Sequence, residues 1–258
     1  MSMDEYQAFK AVSRGFLVDI LQSPAHALHR KQAPEKTTEA QVFGQALHTK
    51  VLEPELFDQQ YLVTKLDRRT SEGKAAQADA IARKLTIINP SDMLSIDAIN
   101  SEIKSHKGAM KLLQNGAAEQ TVIVELDGVL CKIRMDYVRK EGIIIDLKST
   151  LDASPDAFLK TIINYNYHVQ AAFYLDVLAE TEHPSTHFAF IAVEKEAPFA
   201  VGAYTLDESF IELGRAKYKR ALAIYKDCVA NNYFPAYSQE LIELTPPVWA
   251  VKQELNNV

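Results

Sequence analysis

The stretch that most constrains this chain is a run of three isoleucines ending in charge, Ile143-Ile144-Ile145-Asp146-Leu147-Lys148. Consecutive β-branched residues suit a strand buried on both faces, and such a strand lies inside a sheet. Asp146 and Lys148 are two apart, so on that strand they project from one face, which they share with Ile144. An aspartate buried without a partner is costly, so the pair belongs at the strand's exposed end, beside a partner or beside a metal. An Asp-x-Lys strand is also a common surface salt bridge, and the tripeptide alone does not separate the two.

Its neighbours narrow the choice. Thr121 to Leu126 reads as a strand, Asp127-Gly128 as a hairpin turn and Val129 to Val138 as the returning strand. Glu141-Gly142 makes a second turn before the strand Ile143 to Lys148. Asp136 lies near the end of the returning strand, and the short Arg139–Gly142 link makes the next strand an antiparallel neighbour. Asp136 and Asp146 then fall at one edge, close enough to bind one cation. Two carboxylates with carbonyls and waters suit a hard ion, Mg²⁺ or Mn²⁺. In phosphodiester hydrolysis such a metal activates water, and Lys148 orients that water or helps deprotonate it.

Downstream the period becomes helical from Ser154-Pro155 to about Glu180, a cap followed by a proline in first position. Ala157–Ile163 and Val169–Leu178 read as separate helices divided near Asn164-Tyr-Asn-Tyr. Gln170 and Tyr174 share a face of the second. They can hold a lysine, a water or a phosphate oxygen, or support packing at a helix boundary. His187–Glu194 and Phe199–Leu206 read as two more strands, 207–230 as a long amphipathic helix, and the tail from Asn231 as irregular chain.

The N-terminal part is mostly helical. Phe9, Val12, Phe16, Ile20 and Leu21 predict helix over 2–30, interrupted at Ser23-Pro24, with a loop over 31–38. A helix from Thr38 to Leu52 carries the stripe Ala40, Phe43, Leu47 and Val51 and stops at Pro54. His48 sits at the edge of that stripe, where a histidine is as a rule a packed residue. Tyr61–Thr64 looks like a short strand, and residues 91–114 look helical up to the Asn115-Gly116 stop. Between them, the polar loop Asp67–Lys74 precedes an Ala-rich helix over 74–84. It is read as a solvated turn or as a phosphate contact by Arg68, Arg69 and Lys74.

The whole chain therefore predicts one α/β domain over 1–258: a helical part over 1–115, a sheet and helix over 119–206, and a helix and tail over 207–258. Its net charge of −6 argues against a passive nucleic-acid coat, without excluding an enzyme whose acidic ligands are neutralised by cations. Cys131 and Cys228 are the two cysteines, too few and too far apart for a disulfide framework or a zinc site. No apolar run is long enough to span a membrane and no secretory signal opens the chain, so a cytoplasmic protein is expected.

The ordered set of blocks resembles the PD-(D/E)xK nucleases. It comprises Arg134-x-Asp136, Ile145-Asp-Leu-Lys-Ser-Thr150 and Tyr167-His-x-Gln-Ala-Ala-Phe-Tyr174. Phe43-Gly-Gln-Ala-Leu-His48, Leu52-Glu-Pro54, Arg68-Arg-Thr-x-Glu-Gly-Lys74, Ile191-Ala-Val-Glu-Lys195 and Pro247-x-Trp-Ala250 extend the likeness over roughly residues 10–250. In detail it is similar to the exodeoxyribonuclease VIII, RecE-type branch, related to the RecB-like nucleases. The resemblance implies a restriction-endonuclease-like α/β core, a central mixed sheet flanked by helices. It implies His48, Asp136, Asp146 and the Leu147 carbonyl as metal ligands, Lys148 as the catalytic lysine, and Gln170 and Tyr174 as the Gln-x-x-x-Tyr pair beside the site. Met135 stands where the superfamily name has proline. Glu119 and Glu125 lie close upstream and are not taken as ligands. Arg68, Arg69, Lys74 and Arg134 are the expected DNA contacts. The branch further implies Mg²⁺-dependent 5′-to-3′ digestion of linear duplex DNA leaving a 3′ tail. It also implies a ring of three or four copies and a RecT-like single-strand annealing partner in phage-type recombination. A DNA-end-binding scaffold without catalysis, and a nuclease of the same chemistry acting on flaps or single strands, are the alternatives.

Overall fold

A computed structural model of the chain describes residues 1–33, 37–65 and 69–255. The helices are α1 (Met3–Ala8), α2 (Arg14–Gln22), α3 (Pro24–Gln32), α4 (Glu39–Leu52), α5 (Phe57–Gln60), α6 (Ser71–Arg83), α7 (Pro90–Ser105), α8 (Lys107–Leu112), α9 (Pro155–Asn164), α10 (Tyr167–Ala179), α11 (Glu208–Ala230) and α12 (Val248–Leu255). The strands are β1 (Tyr61–Val63), β2 (Thr86–Ile88), β3 (Gly116–Leu126), β4 (Val129–Arg139), β5 (Ile143–Thr150), β6 (His187–Glu194) and β7 (Val201–Thr205).

Five strands form one mixed sheet in the order β3-β4-β5-β6-β7, with β5 and β6 parallel and the other pairs antiparallel. The isoleucine-rich strand is thus central, as its two-sided apolar character requires. Ile144 packs with Phe188, Phe190 and Ala192 against α2, α10 and α11 on one face. Ile145, Leu147, Ala189, Ile191 and Val193 pack against α4, α7 and the β1–β2 pair on the other. This α/β/α layering is the architecture expected from the sequence. It also removes the conflict between Ile144 and Asp146: both faces of β5 are covered, and Asp146 is buried with partners.

Local chemistry explains the joints. Asp127 and Gly128 both take positive φ (51° and 78°), the geometry a two-residue hairpin needs. α10 lies so close to α11 that a Cβ on Gly214 would stand 2.1 Å from the His168 carbonyl oxygen. Arg215 clamps that contact, donating from Nε to Asp176 Oδ2 and from Nη2 to Asp176 Oδ1, both at 2.8 Å. α1 is tied to the sheet by Lys132, whose ammonium donates to the carbonyls of Tyr6 (2.5 Å), Gln7 (3.2 Å) and Phe9 (2.9 Å).

Several expectations need correction. The interruption at Ser23-Pro24 is present, but the stretch before it is two helices, because Val12 bridges to β4: its N–H donates to the Leu130 carbonyl at 2.9 Å and its own carbonyl accepts from Lys132 N–H at 2.8 Å. A tertiary backbone pairing overrides the helical period there. Ala40 is exposed, since the first turn of α4 stands clear of the core; Ala46, Leu47 and Thr49 are its buried residues. Helix 91–114 breaks at His106, and the short strand β2, pairing parallel with β1, had no sequence signal. The Ala-rich helix begins at Ser71, capped by Thr70, so Lys74 lies within it; Arg68 falls outside the described residues. The tail is not wholly irregular: α12 follows Pro247, whose carbonyl accepts from the N–H groups of Ala250 (3.0 Å) and Val251 (3.2 Å). Among the described residues no helix is long and apolar enough to cross a membrane, and both cysteines are buried and unpaired.

Candidate active site

The site lies where β5 loses one neighbour. β5 pairs with β6 along its whole length, but with β4 only at Ile143↔Arg139, Ile144↔Val138 and Ile145↔Tyr137. The next residues in register, Asp136 and Asp146, face each other across the opening. Leu147 N–H has therefore lost its strand acceptor, and the Asp136 carboxylate takes that role, Oδ2 accepting at 2.9 Å. The carboxylate closes the ladder where the two strands part.

Each layer contributes one set of partners. From α4, His48 Nε2 lies 2.8 Å from the Leu147 carbonyl oxygen and Nδ1 lies 3.4 Å from Asp136 Oδ2. A carbonyl only accepts, so Nε2 carries a proton and Nδ1 is the nitrogen turned toward the carboxylate. From α10, Gln170 Nε2 donates to Asp146 Oδ2. Asp146 Oδ1 forms an ion pair with Lys148 Nζ. The lysine ammonium lies 4.6 Å from the centre of the Tyr167 ring. Tyr174 is buried one turn beyond Gln170, edge-on to Phe188 at 6.2 Å.

The electrostatics follow from this crowding. Burial, and then the Asp146 charge, push the Asp136 carboxyl up to about 6, although His48 and Lys148 oppose the shift. Burial alone would depress Lys148; the charges of Asp146 and Asp136 outweigh it and hold the ammonium above its ordinary value. Tyr174 is pushed well above the usual phenol range, chiefly by burial, and remains a neutral hydroxyl.

Glu119, which the sequence reading set aside as a ligand, stands at the site. It stands opposite Asp136 between the pairs Ala118↔Tyr137 and Gln120↔Met135, with φ of +53°. Met135 and Val138, three apart, both pack toward the α10 face, so the alternation of β4 slips once at Asp136. Glu119, His48 and Asp136 each offer a ligand atom within 4.8 Å of the others. The signal was available: counting back from Asp127-Gly128 places Glu119 across from Asp136, but a strand predicted from Thr121 leaves it out. Tyr167 went unassigned as well, although it lies three residues before Gln170 on the same helix.

The remaining expected contacts are placed differently. Arg134 is turned inward, its side chain 14% exposed, with Nε donating to Glu119 Oε2 at 2.5 Å and Nη1 to the Met1 carbonyl (2.9 Å) and Thr121 Oγ1 (3.1 Å). Arg69 and Lys74 are exposed.

The donors fit a hard divalent cation: one His48 nitrogen and carboxylate oxygens of Glu119 and Asp136 lie within 4.8 Å of one another, and burial already raises the Asp136 carboxyl toward protonation. A mixed sheet whose central strand parts from its neighbour beside a carboxylate–lysine pair is the arrangement of the PD-(D/E)xK nucleases, metal-dependent enzymes that hydrolyse DNA. Residues 13–244 match the family described as a PDDEXK-like domain of unknown function (DUF3799), and the chain belongs to that family. A candidate exonuclease from Eubacterium rectale shares the fold at a TM-score of 0.61 and 14% identity, covering 97% of each chain. An alkaline exonuclease from Laribacter hongkongensis aligns over 74% of this chain and 94% of its own at 14% identity, with a TM-score of 0.31. No curated protein matches the sequence significantly.

Proposed function

We propose that this protein is a Mg²⁺-dependent exodeoxyribonuclease of the RecE-type branch, digesting one strand of linear duplex DNA from its 5′ end and leaving a 3′ tail. The observation that carries the reading is the parting of β4 from β5 at Asp136 and Asp146, with Lys148 on the same strand and His48 delivered by α4. His48, Asp136, Asp146 and the Leu147 carbonyl hold the metal, and Glu119 is placed to join them. When bound, the cation supplies positive charge to the scissile phosphate and a lowered pKa to water.

The chain's own groups do the rest. Gln170 fixes the Asp146 carboxylate by bonding one oxygen and leaves the other to Lys148. Lys148 is held between Asp146 and the Tyr167 ring. While both carboxylates are uncompensated, the lysine stays an ammonium. Neutralising them releases it to orient a water and accept its proton. Arg69 and Lys74, with Arg68, steer the phosphate backbone, and Mn²⁺ substitutes for Mg²⁺. The working form is a cytoplasmic ring of three or four copies that hands its 3′ tail to a RecT-like annealing protein.

The test is a linear duplex labelled at either 5′ or 3′ ends, set beside nicked circles and single strands, with and without Mg²⁺. We expect early release of the 5′ label from the linear duplex alone. Early release of the 3′ label reverses the polarity, and preference for single strands replaces the substrate. Binding of ends without turnover makes the protein a scaffold.

A further inference from the structure

Tyr167 connects the catalytic lysine to the surface. Its ring takes the Lys148 ammonium at 4.6 Å and stacks on Tyr165, centroids 5.8 Å apart and planes 25° apart. Tyr165 is 64% exposed, so the outer end of this stack stands in solvent at the joint between α9 and α10. Exposed aromatics at helix ends are ordinary; this one is held unusually firmly. Arg14 donates from Nη2 to the carbonyls of Tyr165 (2.5 Å) and Asn166 (3.0 Å), and its guanidinium carbon lies 5.9 Å from the Tyr167 ring centre. Asn166 itself takes a left-handed φ of 55°, and Lys217 Nζ donates to its side-chain oxygen at 2.9 Å. Two cations from two other helices thus pin the backbone that presents one exposed ring.

We propose that Tyr165 is a stacking platform for a nucleobase of the strand being cut, adjacent to the phosphate at Lys148. A π-face accepts any base, which suits an enzyme that must advance through every sequence, and a rigid ring costs little order on binding. The Arg14 guanidinium adds positive charge beside the stack. The platform makes Tyr165 a positioning residue, acting on where the strand lies and not on the reacting atoms.

This inference rests on the nuclease reading, and the test separates the two. Full-length wild-type, Tyr165→Ala, Tyr165→Trp and Tyr233→Ala proteins are compared on a linear duplex with Mg²⁺, after circular dichroism confirms folding. We expect Tyr165→Ala to raise KM about tenfold, Tyr165→Trp to keep it near the wild-type value, and Tyr233→Ala, another exposed tyrosine, on the tail, to leave it unchanged. Strands carrying 5-iodouracil near the cut phosphate should cross-link to Tyr165 on irradiation. A wild-type protein that cuts no DNA removes the nuclease reading and the platform with it. An active wild-type with an unaltered KM in Tyr165→Ala, or cross-links that bypass Tyr165, removes the platform alone.

Discussion

The two halves of β5 obey opposite rules. Ile143, Ile144 and Ile145 have strand neighbours on both sides and apolar layers on both faces, so every backbone and side-chain group is satisfied by the fold itself. Asp146, Leu147 and Lys148 keep β6 but have lost β4, and their needs are met by side chains from α4, α10 and Asp136. One half is built for cohesion. The other is a set of charges held in place at some cost to stability, as functional sites commonly are.

The contrast can be broken first in the charged half. Asp146→Asn should lower turnover on linear duplex DNA by at least about a thousandfold while the circular dichroism spectrum stays that of the wild type. Near-normal rates would move the chemistry elsewhere. In the cohesive half, Ile144→Ala removes a fully buried side chain and should cost about 2–5 kcal/mol, read as a fall in thermal midpoint of roughly 2–4 °C per kcal/mol. A shift below one degree would mean that the isoleucines are not the sheet's anchor.

Smaller effects sharpen the boundary between the halves. His48→Gln should raise the Mg²⁺ concentration for half-maximal activity by about 10–100-fold with a smaller loss at saturation; an unmoved metal requirement would leave His48 a packing residue. The smallest effect is a gain. Asp136 has its folded pKa raised to about 6 from an ordinary 3.8, so its contribution favours folding below pH 4 and is lost as pH rises through 6. Metal-free Asp136→Asn should therefore be more stable than wild type at pH 7.5, by about 3 kcal/mol, and equal to it near pH 4. Wild-type protein should regain the difference when Mg²⁺ is added. A variant less stable than wild type at both pH values would contradict the account.

How much of this was legible follows from where the information lies. Local chemistry carried far: the two hairpin turns, the central placement of Ile143–Ile145 and the division of α9 from α10 near Asn164-Tyr-Asn-Tyr were all readable in short windows. The Asp136–Asp146 opposition followed from counting across one turn. Pairings between distant segments were not readable. The Val12 bridge to β4 broke a helix whose apolar spacing was sound, and the β1–β2 pair joins three-residue strands too short to carry a period. Glu119 was set aside because a strand predicted from Thr121 leaves it outside the pairing; its left-handed φ interrupts the alternation that defines a strand. His48, a packed residue by its own pattern, sits against Leu147 and Asp136 only because α4 crosses the sheet at the split. The resemblance supplied what periodicity lacked.

The most direct test of the central claim is digestion of one linear duplex by wild-type and Lys148→Ala proteins, each with Mg²⁺ and with chelator. The account predicts cleavage by wild type with Mg²⁺ and intact DNA in the other three reactions. Cleavage by Lys148→Ala at the wild-type rate, or by wild type in chelator, would contradict it.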